Sequence, residues 1–353
     1  MSVKLLTVDN VAEWQAILPA HISVFGSVEY ARIYQQHTGH VARLFVVESD
    51  GPLVVYPFFL RPIHKLPFAP AAQMWDTLTP EFTGPIQLGL EDRSAAECFC
   101  ERHMAMCREQ NIVAEFAHLH PWHWRADLLD PACVALDREI VYVDLTWPEE
   151  RLWRDSFTYA CRKNIKRTVQ ENVRAFVATT PDHVREFYRI YVQTMNRRQA
   201  LEKYYFSLDY FMAFFEQMPN SARFVLAEYQ GQIVAATLYL HDDTDVYSYL
   251  GGADHTFQNA RPSNAIVYDT IRWAQGQSKK RLILGGGYTP DDGIFRFKAS
   301  FSPLRARFHL YKRVHRPDEY AALCNAWSVY YGGQSANDYF PAYRSIPVVG
   351  SDQ

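Results

Sequence analysis

Two stretches of the chain share one pattern of hydrophobic and polar positions. Residues 44–61 read LFVVESDGPLVVYPFFLR and residues 224–241 read FVLAEYQGQIVAATLYLH, and the two align without a gap. In each stretch, apolar runs flank a short turn, Asp50-Gly51 in the first and Gln230-Gly231 in the second. This pattern is typical of a β-hairpin, so we predict one hairpin at each place.

A helical pattern that runs into a strand follows each predicted hairpin, at residues 94–112 and at residues 263–284. Recurrence of the same elements in the same order indicates an internal duplication. Each copy reads helix, hairpin, strand, helix, strand, which predicts an α/β fold (α+β mixed sheet) with helices packed on its faces. A boundary is expected near the proline and acidic residues of positions 144–150. The predicted domains are 1–148, 149–316 and a C-terminal helix and tail at 317–353.

Composition narrows the class of protein. The chain has 353 residues, of which 48% are hydrophobic and 15% aromatic, enough for packed cores. A net charge of −3 excludes a polyanion binder whose whole surface is basic. The six cysteines form no C-x-x-C pair, so we expect reduced thiols and a cytoplasmic location. No signal-like N-terminus is present and no apolar run approaches the roughly 20 residues of a membrane span, so none is expected.

Five segments of the sequence resemble the FemAB-type branch of the GNAT superfamily. They are TPEFTGPI (79–86), YACRKNIKRTVQENV (159–173), YVQTMNRRQALEKYYF (191–206), ARPSNAIVYDTIRWA (260–274) and LGGGYTPDDGIFRFKASF (284–301). The resemblance implies two tandem GNAT-like domains. Well-known members of that family add amino acids from aminoacyl-tRNA to peptidoglycan precursors. The helical coiled-coil insertion often carried by classical members does not appear here. The segment that presents Asp76, Thr79 and Phe82 resembles the family's acceptor-binding segment.

A basic run gives the first candidate binding surface: Arg162, Lys163, Lys166 and Arg167. On a helix these cations pair at i and i+4 spacing and form one positive face. Such a face suits the phosphates of a nucleotide diphosphate or of a tRNA acceptor stem. An ordinary solvated surface is the alternative.

The start of the helix near residue 263 gives a second candidate. A CoA-binding loop needs glycines whose N–H groups face the pyrophosphate, but DHTFQNARPSNA (254–265) contains none, and Pro262 has no N–H. Ser263 or Asn264 is expected to cap the helix, and Arg261 would supply positive charge. The segment is either an altered phosphate or carboxylate site or an ordinary capped helix.

A glycine triplet marks the end of a predicted strand at Gly285, Gly286 and Gly287. Ligands of α/β sheets bind at such strand ends. The following FRFKASF is expected to be a strand that presents Lys298 on its polar face. The resemblance centres on Lys298, which we expect to stabilise an oxyanion, with a solvated edge strand as the alternative. Asp292 is a candidate proton acceptor or orienting group.

Two further groups complete the candidates. Arg197 and Tyr204 could bind a carboxylate and stack on a flat group, although a helix surface followed by core aromatics explains them equally. His118, His120 and His123 lie close in sequence, but no carboxylate or cysteine at ligand spacing completes a set, so no metal site is expected.

The predicted activity is that of an N-acyltransferase which forms an amide by transferring an activated acyl or aminoacyl group to an amine. The donor, aminoacyl-tRNA or acyl-CoA, is a co-substrate, and no tightly bound cofactor is expected. The acceptor is a small or nucleotide-linked molecule, such as a cell-envelope or polysaccharide precursor, and tRNA is a candidate partner. The alternatives are an acyl-CoA-dependent N-acetyltransferase acting on a nucleotide sugar or small amine, and a non-catalytic nucleotide-ligand binding protein.

Overall fold

The computed structural model describes residues 2–48, 53–89, 93–289, 291–333 and 339–347. The strands are β1 (Ser2–Leu6), β2 (Val41–Glu48), β3 (Leu53–Pro62), β4 (Trp75–Leu78), β5 (Ile86–Leu88), β6 (Ile112–Leu119), β7 (Val134–Asp144), β8 (Arg174–Val177), β9 (Ala222–Tyr229), β10 (Gln232–His241), β11 (Asp245–Ala253), β12 (Arg281–Gly285) and β13 (Arg305–Val314). The α-helices are α1 (Val11–Ile17), α2 (Val28–Thr38), α3 (Arg93–Glu109), α4 (Glu149–Arg151), α5 (Tyr159–Gln170), α6 (Pro181–Arg197), α7 (Leu208–Gln217), α8 (Pro262–Gly276), α9 (Gly293–Ala299) and α10 (Pro317–Tyr331).

The chain divides into two compact units, each built from separate segments. Unit 1 contains Met1–Leu18, Tyr34–Asp137 and Phe308–Gln353, and unit 2 contains Pro19–Ile33 and Arg138–Arg307. The predicted domain boundaries at residues 148 and 316 stay a prediction, whereas the units show which segments pack together. Within the described residues, no helix is both long enough and apolar enough to cross a membrane.

Unit 1 is a mixed sheet in the strand order β1-β2-β3-β4-β6-β13, with β5 paired to β3. The hairpin strands β2 and β3 are antiparallel, β4 is antiparallel to β3, and β6 is parallel to β4. The helix α3 buries Ala95, Phe99 and Cys107 in the core of this sheet. The predicted hairpin is confirmed, while its turn at Asp50-Gly51 lies outside the described residues.

Unit 2 repeats this arrangement in the order β8-β9-β10-β11-β12-β7. The pair β9/β10 is antiparallel, β11 is antiparallel to β10, and β12 is parallel to β11. Gln230 (φ 52°) and Gly231 (φ 76°) both adopt the left-handed conformation that a tight two-residue hairpin turn requires. The same pairing pattern in both units confirms the mixed α/β fold class and the duplication read from the sequence.

In each predicted copy of the duplication, the last strand along the chain pairs with a strand of the other copy. The strand β7 follows β6 along the chain but pairs with β12, with Arg281 opposite Asp144. The strand β13 follows unit 2 along the chain but pairs with β6, with His309 opposite Leu119. This exchange explains why Phe308–Gln353 belongs to unit 1, whereas unit 2 is discontinuous because it includes Pro19–Ile33.

Two local predictions were wrong. The segment expected to be a strand carrying Lys298 is the helix α9, because the Asp292 side chain accepts a hydrogen bond from Phe295 N (2.7 Å) and starts a helical turn. Neither Ser263 nor Asn264 caps α8, which begins instead at Pro262 after Arg261. Proline at the first helical position is pre-organised for the helix, and Arg261 supplies the turn into it.

Candidate functional site

The basic helix α5 is oriented by its apolar side. Thr158 Oγ1 caps the helix by accepting a hydrogen bond from Cys161 N (3.2 Å). Cys161, Ile165 and Thr168 are buried at i, i+4 and i+7 spacing, the first two in the core of unit 2. The cationic side of the helix therefore faces away from the core.

That cationic side borders a cavity of about 410 Å³ within unit 2. The lining residues are Ala160, Lys163, Asn164, Arg167, Gln170, Glu171 and Arg261. Glu171 is the only carboxylate in this lining, and it faces Arg167 (3.4 Å) and accepts a hydrogen bond from Tyr229 OH (2.9 Å). The lining groups carry three positive charges against one negative charge, which suits a phosphate or diphosphate.

Arg261 brings the start of α8 into the same cavity. Its backbone is left-handed (φ 61°, ψ 39°), an uncommon conformation for a residue other than glycine. Among the described residues, the buried Nε of Arg261 and Nδ2 of Asn264 have no hydrogen-bond partner. Arg261 lines the cavity whereas Asn264 does not, so Arg261 is the residue of this helix start that can meet a ligand there.

The four cations predicted to form one site do not act together. Arg162 Nη1 donates to the carbonyl oxygens of Trp153 (3.0 Å) and Phe157 (2.5 Å), which fixes the turn before α5. Lys166 is exposed and does not line the cavity. Lys163 and Arg167 are the pair that does.

The glycine triplet holds Lys298 close to the end of β12. Lys298 Nζ donates to Gly286 O (2.6 Å), and the lysine is half-buried. Gly285 has a φ of 79°, and a Cβ atom there would lie 3.3 Å from Lys298 Nζ. Glycine at this position therefore allows both the turn and the approach of the ammonium group.

Asp292 organises the loop between β12 and α9. Its Oδ2 accepts hydrogen bonds from Tyr288 N (2.7 Å) and Thr289 N (3.3 Å), in addition to the cap bond to Phe295 N. These backbone donors, first of all Phe295, hold the pKa of Asp292 below its ordinary value. A carboxylate with a lowered pKa is a weak proton acceptor, so the geometry favours the orienting role. A Cβ atom at Gly287 would lie 2.5 Å from Asp292 Oδ1, so this carboxylate also requires glycine there.

Other predicted residues of unit 2 lie around this loop. Thr158 N donates to Ser300 O (2.9 Å), which joins the start of α5 to the end of α9. Tyr191 OH donates to Tyr204 O (2.5 Å). The pKa of Tyr191 is raised mainly by burial and to a smaller extent by Tyr288. Tyr204 is half-buried, while Arg197 is exposed on the last turn of α6.

The strand β11 extends beyond its partner next to this loop. In the register of the described residues, it pairs with β12 only from Asp245 to Tyr247, although it continues to Ala253. In unit 1 the equivalent position is bridged, because Thr79 N and Thr83 N donate to β6 (both 3.1 Å). Of the two copies, unit 2 offers the strand edge along which an extended ligand arm could lie.

The candidates of unit 1 are held inside that unit. Asp76 is fully buried and accepts hydrogen bonds from Arg344 Nε (2.6 Å) and Tyr343 OH (3.1 Å) and also pairs with Arg61. Thr79 Oγ1 accepts a hydrogen bond from His118 N (2.8 Å). Phe82, half-buried, packs against Phe308 with 5.3 Å between ring centroids. None of the three lines the cavity of unit 2.

Four lining residues were missed from the sequence: Ala160, Asn164, Gln170 and Glu171. They lie three or four positions from Lys163 or Arg167 and therefore share one face of α5. A helical projection of residues 160–171 would have found them, whereas Arg261 joins them only through tertiary packing.

Comparison with known proteins bears on the fold. Residues 156–299 match the acetyltransferase (GNAT) domain family. No curated protein sequence matches the chain. The fold is similar to the crystal structure of FemX, with a TM-score of 0.67 and 11% identity over 91% of this chain and 99% of that chain.

Two other solved structures show the same similarity. One is a conserved protein of unknown function from Bacteroides thetaiotaomicron, with a TM-score of 0.60 and 15% identity over 89% of this chain and 99% of that one. The other is the C-terminal domain of a candidate lysylphosphatidylglycerol synthetase from Agrobacterium fabrum, with a TM-score of 0.54 and 13% identity over 91% and 98%. The chain has the FemABX-like tandem GNAT fold that the sequence predicted.

Proposed function

We propose that this chain is an N-acyltransferase that joins an activated acyl or aminoacyl group to an amine, with the cavity of unit 2 holding the phosphate of a substrate. The observation that carries the proposal is the convergence of Lys163, Arg167 and Arg261 on one cavity of about 410 Å³. The matched GNAT domain spans these residues. The acceptor is an amine on a nucleotide-linked or cell-envelope precursor.

The cavity fits an oxyanion better than a neutral ligand. Two of its cations are guanidinium groups, which match phosphate oxygens in pairs. A bound phosphate would pair with the cationic side chains that line the cavity and balance their excess positive charge.

The reaction is direct transfer. The amine nitrogen attacks the carbonyl carbon of the ester or thioester, and the carbonyl oxygen takes negative charge. This attack forms the C–N bond. The C–O or C–S bond breaks when the oxyanion collapses, and the amine proton passes by way of a base to the leaving oxygen or sulfur, which departs as an alcohol or a thiol. Lys298, positioned by Gly286 O, would stabilise the oxyanion. A substrate phosphate or carboxylate would accept the proton, since hydrogen bonds to Asp292 lower its basicity.

The start of α8 bears on the choice of donor. A CoA cradle depends on backbone N–H groups, but here Pro262 occupies the first helical position. The site relies on cationic side chains instead, which also suits the phosphates of a tRNA acceptor end or a nucleotide. This supports aminoacyl-tRNA or a nucleotide-linked substrate over the usual mode of CoA binding.

A donor screen tests the proposal. Purified protein is incubated with charged tRNAs and acyl-CoAs, each with a panel of amine acceptors, while loss of ester or thioester is followed. Consumption of charged tRNA that requires an amine acceptor is the expected result. Acyl-CoA consumption would support the alternative acetyltransferase. Saturable binding of a nucleotide sugar without turnover of any donor would support the non-catalytic alternative.

A matched pair of variants tests the cavity itself. Lys163→Glu places a negative charge in the cavity, whereas Lys166→Glu makes the same change one turn away on the exposed side of α5. Lys163→Glu should weaken binding of the phosphate-bearing substrate. The slope of log affinity against log salt concentration should also become shallower by about one released ion. Lys166→Glu should change both far less. Equal effects of the two variants would make α5 a general basic surface rather than a site.

A further inference from the structure

A cluster of ligand-type side chains is buried inside unit 1, apart from the site described above. His103 and Cys107 lie one turn apart on α3, and Glu115 lies on β6. All three are buried, with exposed fractions of 6%, 1% and 1%. The surrounding core is apolar and includes Phe45 and Phe99.

The three side chains point their ligand atoms at one place. His103 Nε2 is 3.6 Å from Cys107 Sγ and 3.5 Å from Glu115 Oε1, and the three atoms all lie within 4.8 Å of one another. Tetrahedral zinc, with bonds of about 2.0–2.3 Å, places neighbouring ligand atoms about 3.3–3.6 Å apart. The two shorter separations therefore match the edges of a zinc tetrahedron.

We propose that His103, Cys107 and Glu115 bind a zinc ion. With thiolate, carboxylate and neutral imidazole ligands, the Zn²⁺ site has no net charge, as an apolar core requires. Without an ion, the one Nε2 of His103 faces both Sγ and Oε1 and can serve only one of them. The mixed nitrogen, sulfur and oxygen set suits zinc rather than calcium or magnesium, which take oxygen ligands.

Neighbouring groups hold these ligands in place. Tyr56 OH donates to Glu115 Oε1 (2.7 Å), and His315 Nε2 lies 2.8 Å from Glu115 Oε2. The Phe99 ring stacks on the His103 ring, with 5.5 Å between centroids and 4° between planes. Hydrogen bonds to a ligating carboxylate and a fixed imidazole are what supports a metal site. A water molecule or a reoriented His315 would complete four-coordination.

The expected role of the ion is structural. Cys107 and His103 belong to α3, Glu115 to β6, and His315 follows directly after β13, which pairs with β6. Zinc would therefore join the helix to the strand that receives the exchanged β13. With His315 as the fourth protein ligand the buried site would be closed, as structural zinc sites are.

Metal analysis tests the proposal. The full chain is purified without chelator, incubated with ZnCl₂ and excess reducing agent, freed of unbound metal, and measured by plasma mass spectrometry. We expect one zinc per chain, loss of zinc in Cys107→Ser, and unchanged zinc in Cys100→Ser. Cys100 is a half-buried cysteine on the same helix that lies outside the cluster, so it is the matched control. Wild-type protein that holds no zinc above the buffer blank would overturn the proposal.

Cobalt replacement gives a result that does not depend on the folding of a variant. Wild-type protein loaded with Co²⁺ should show the intense visible bands of tetrahedral cobalt and a thiolate-to-cobalt charge-transfer band in the near ultraviolet. Thermal unfolding should also shift to higher temperature with bound zinc. Cobalt bound without a thiolate band, or no cobalt bound at all, would exclude the site at Cys107.

Discussion

Lys298 Nζ donates a 2.6 Å hydrogen bond to the carbonyl oxygen of Gly286. The bond fixes an ammonium group at the end of β12, beside the part of β11 that runs on beyond its partner. Lys298 reaches this point from a helix rather than from the strand expected from its sequence, so its position depends on the cap at Asp292. Substitutions of Lys298 therefore test the role of its charge, and substitutions of Asp292 test the role of the loop that positions it.

Replacement of Lys298 by methionine tests the charge. Lys298→Met should leave substrate binding and the melting temperature nearly unchanged but lower turnover about 100-fold to 1,000-fold, or about 3–4 kcal/mol of transition-state stabilisation. Lys298→Arg should restore only part of the rate, because a planar guanidinium cannot occupy the position of a compact ammonium. Arg296→Met, on the exposed side of α9, is the control and should retain full turnover. A rate loss that follows a lower melting temperature would argue for a structural lysine.

Arg261→Gly should affect stability and binding in different directions. Glycine adopts the left-handed backbone (φ 61°) of this position without strain, so we expect the free energy of unfolding to stay level or rise by up to about 1 kcal/mol. Loss of the guanidinium should nevertheless weaken binding of inorganic pyrophosphate, measured by calorimetry. Unchanged pyrophosphate affinity would remove Arg261 from the site.

Asp292→Asn separates a base from an orienting residue. The amide keeps one acceptor oxygen for Phe295 N but cannot also accept from Tyr288 N, so the melting temperature should fall. The midpoint of the acidic limb of the kcat–pH profile should not move. Asp291→Asn, at an exposed neighbour, is the control. Disappearance of that limb in Asp292→Asn alone would identify Asp292 as the proton acceptor.

Asp76→Asn tests whether this residue is structural. Its buried carboxylate balances Arg61 and Arg344, so removing the charge leaves two guanidinium groups uncompensated in unit 1. The cost should be about 3–5 kcal/mol in a denaturant titration. If Asp76 served only to bind the acceptor, the variant would instead have normal stability and a raised KM.

Asp242→Asn should change how stability depends on pH. Burial, with Asp245 nearby, raises the pKa of Asp242 from 3.8 to about 7. The folded state therefore holds a proton that the unfolded state has lost, and the contribution of this group to stability falls as pH rises from about 4 to about 7. Asparagine mimics the protonated form and keeps an acceptor for Asp245 N.

The variant and the wild type should consequently be similar in stability near pH 4. At pH 8 the variant should be more stable by roughly 2–4 kcal/mol, at about 1.4 kcal/mol per pKa unit. Urea unfolding at both pH values measures the difference. His241 titrates in both proteins, since burial lowers its pKa to about 4, and so cancels. A pH-independent difference would show that Asp242 is charged throughout.

Local patterns in the sequence predicted most of the fold. Apolar runs on both sides of a turn predicted both hairpins, and the i, i+4 spacing of Lys163 and Arg167 correctly placed them on one face of a helix. The stretch around Lys298 was mistaken because a segment of seven residues is too short for its apolar spacing to separate a strand from a helix, and the cap at Asp292 decides between them. Arg162 looked equivalent to its neighbours, yet carbonyl groups of the preceding turn hold it.

Long-range pairing lay beyond those patterns. Nothing in the residues of β7 specifies β12 as its partner, since any exposed strand edge offers the same backbone groups. Arg261 likewise joins the cavity only because α8 packs against α5. The closeness of His103, Cys107 and Glu115 arises in the same way, from a helix packed on a strand.

The pairing of β13 with β6 also affects how the protein folds during its synthesis on the ribosome. The sheet of unit 1 begins with residues 2–6 but is completed by β13, whose last residue is Val314. An N-terminal half that leaves the ribosome tunnel therefore keeps the edge of β6 open until β13 has been made. Such an edge can recruit the wrong strand, so we expect nascent chains that stall after residue 148 to need chaperones. We therefore expect unit 1 to complete its folding only after the strands of unit 2 have been synthesised.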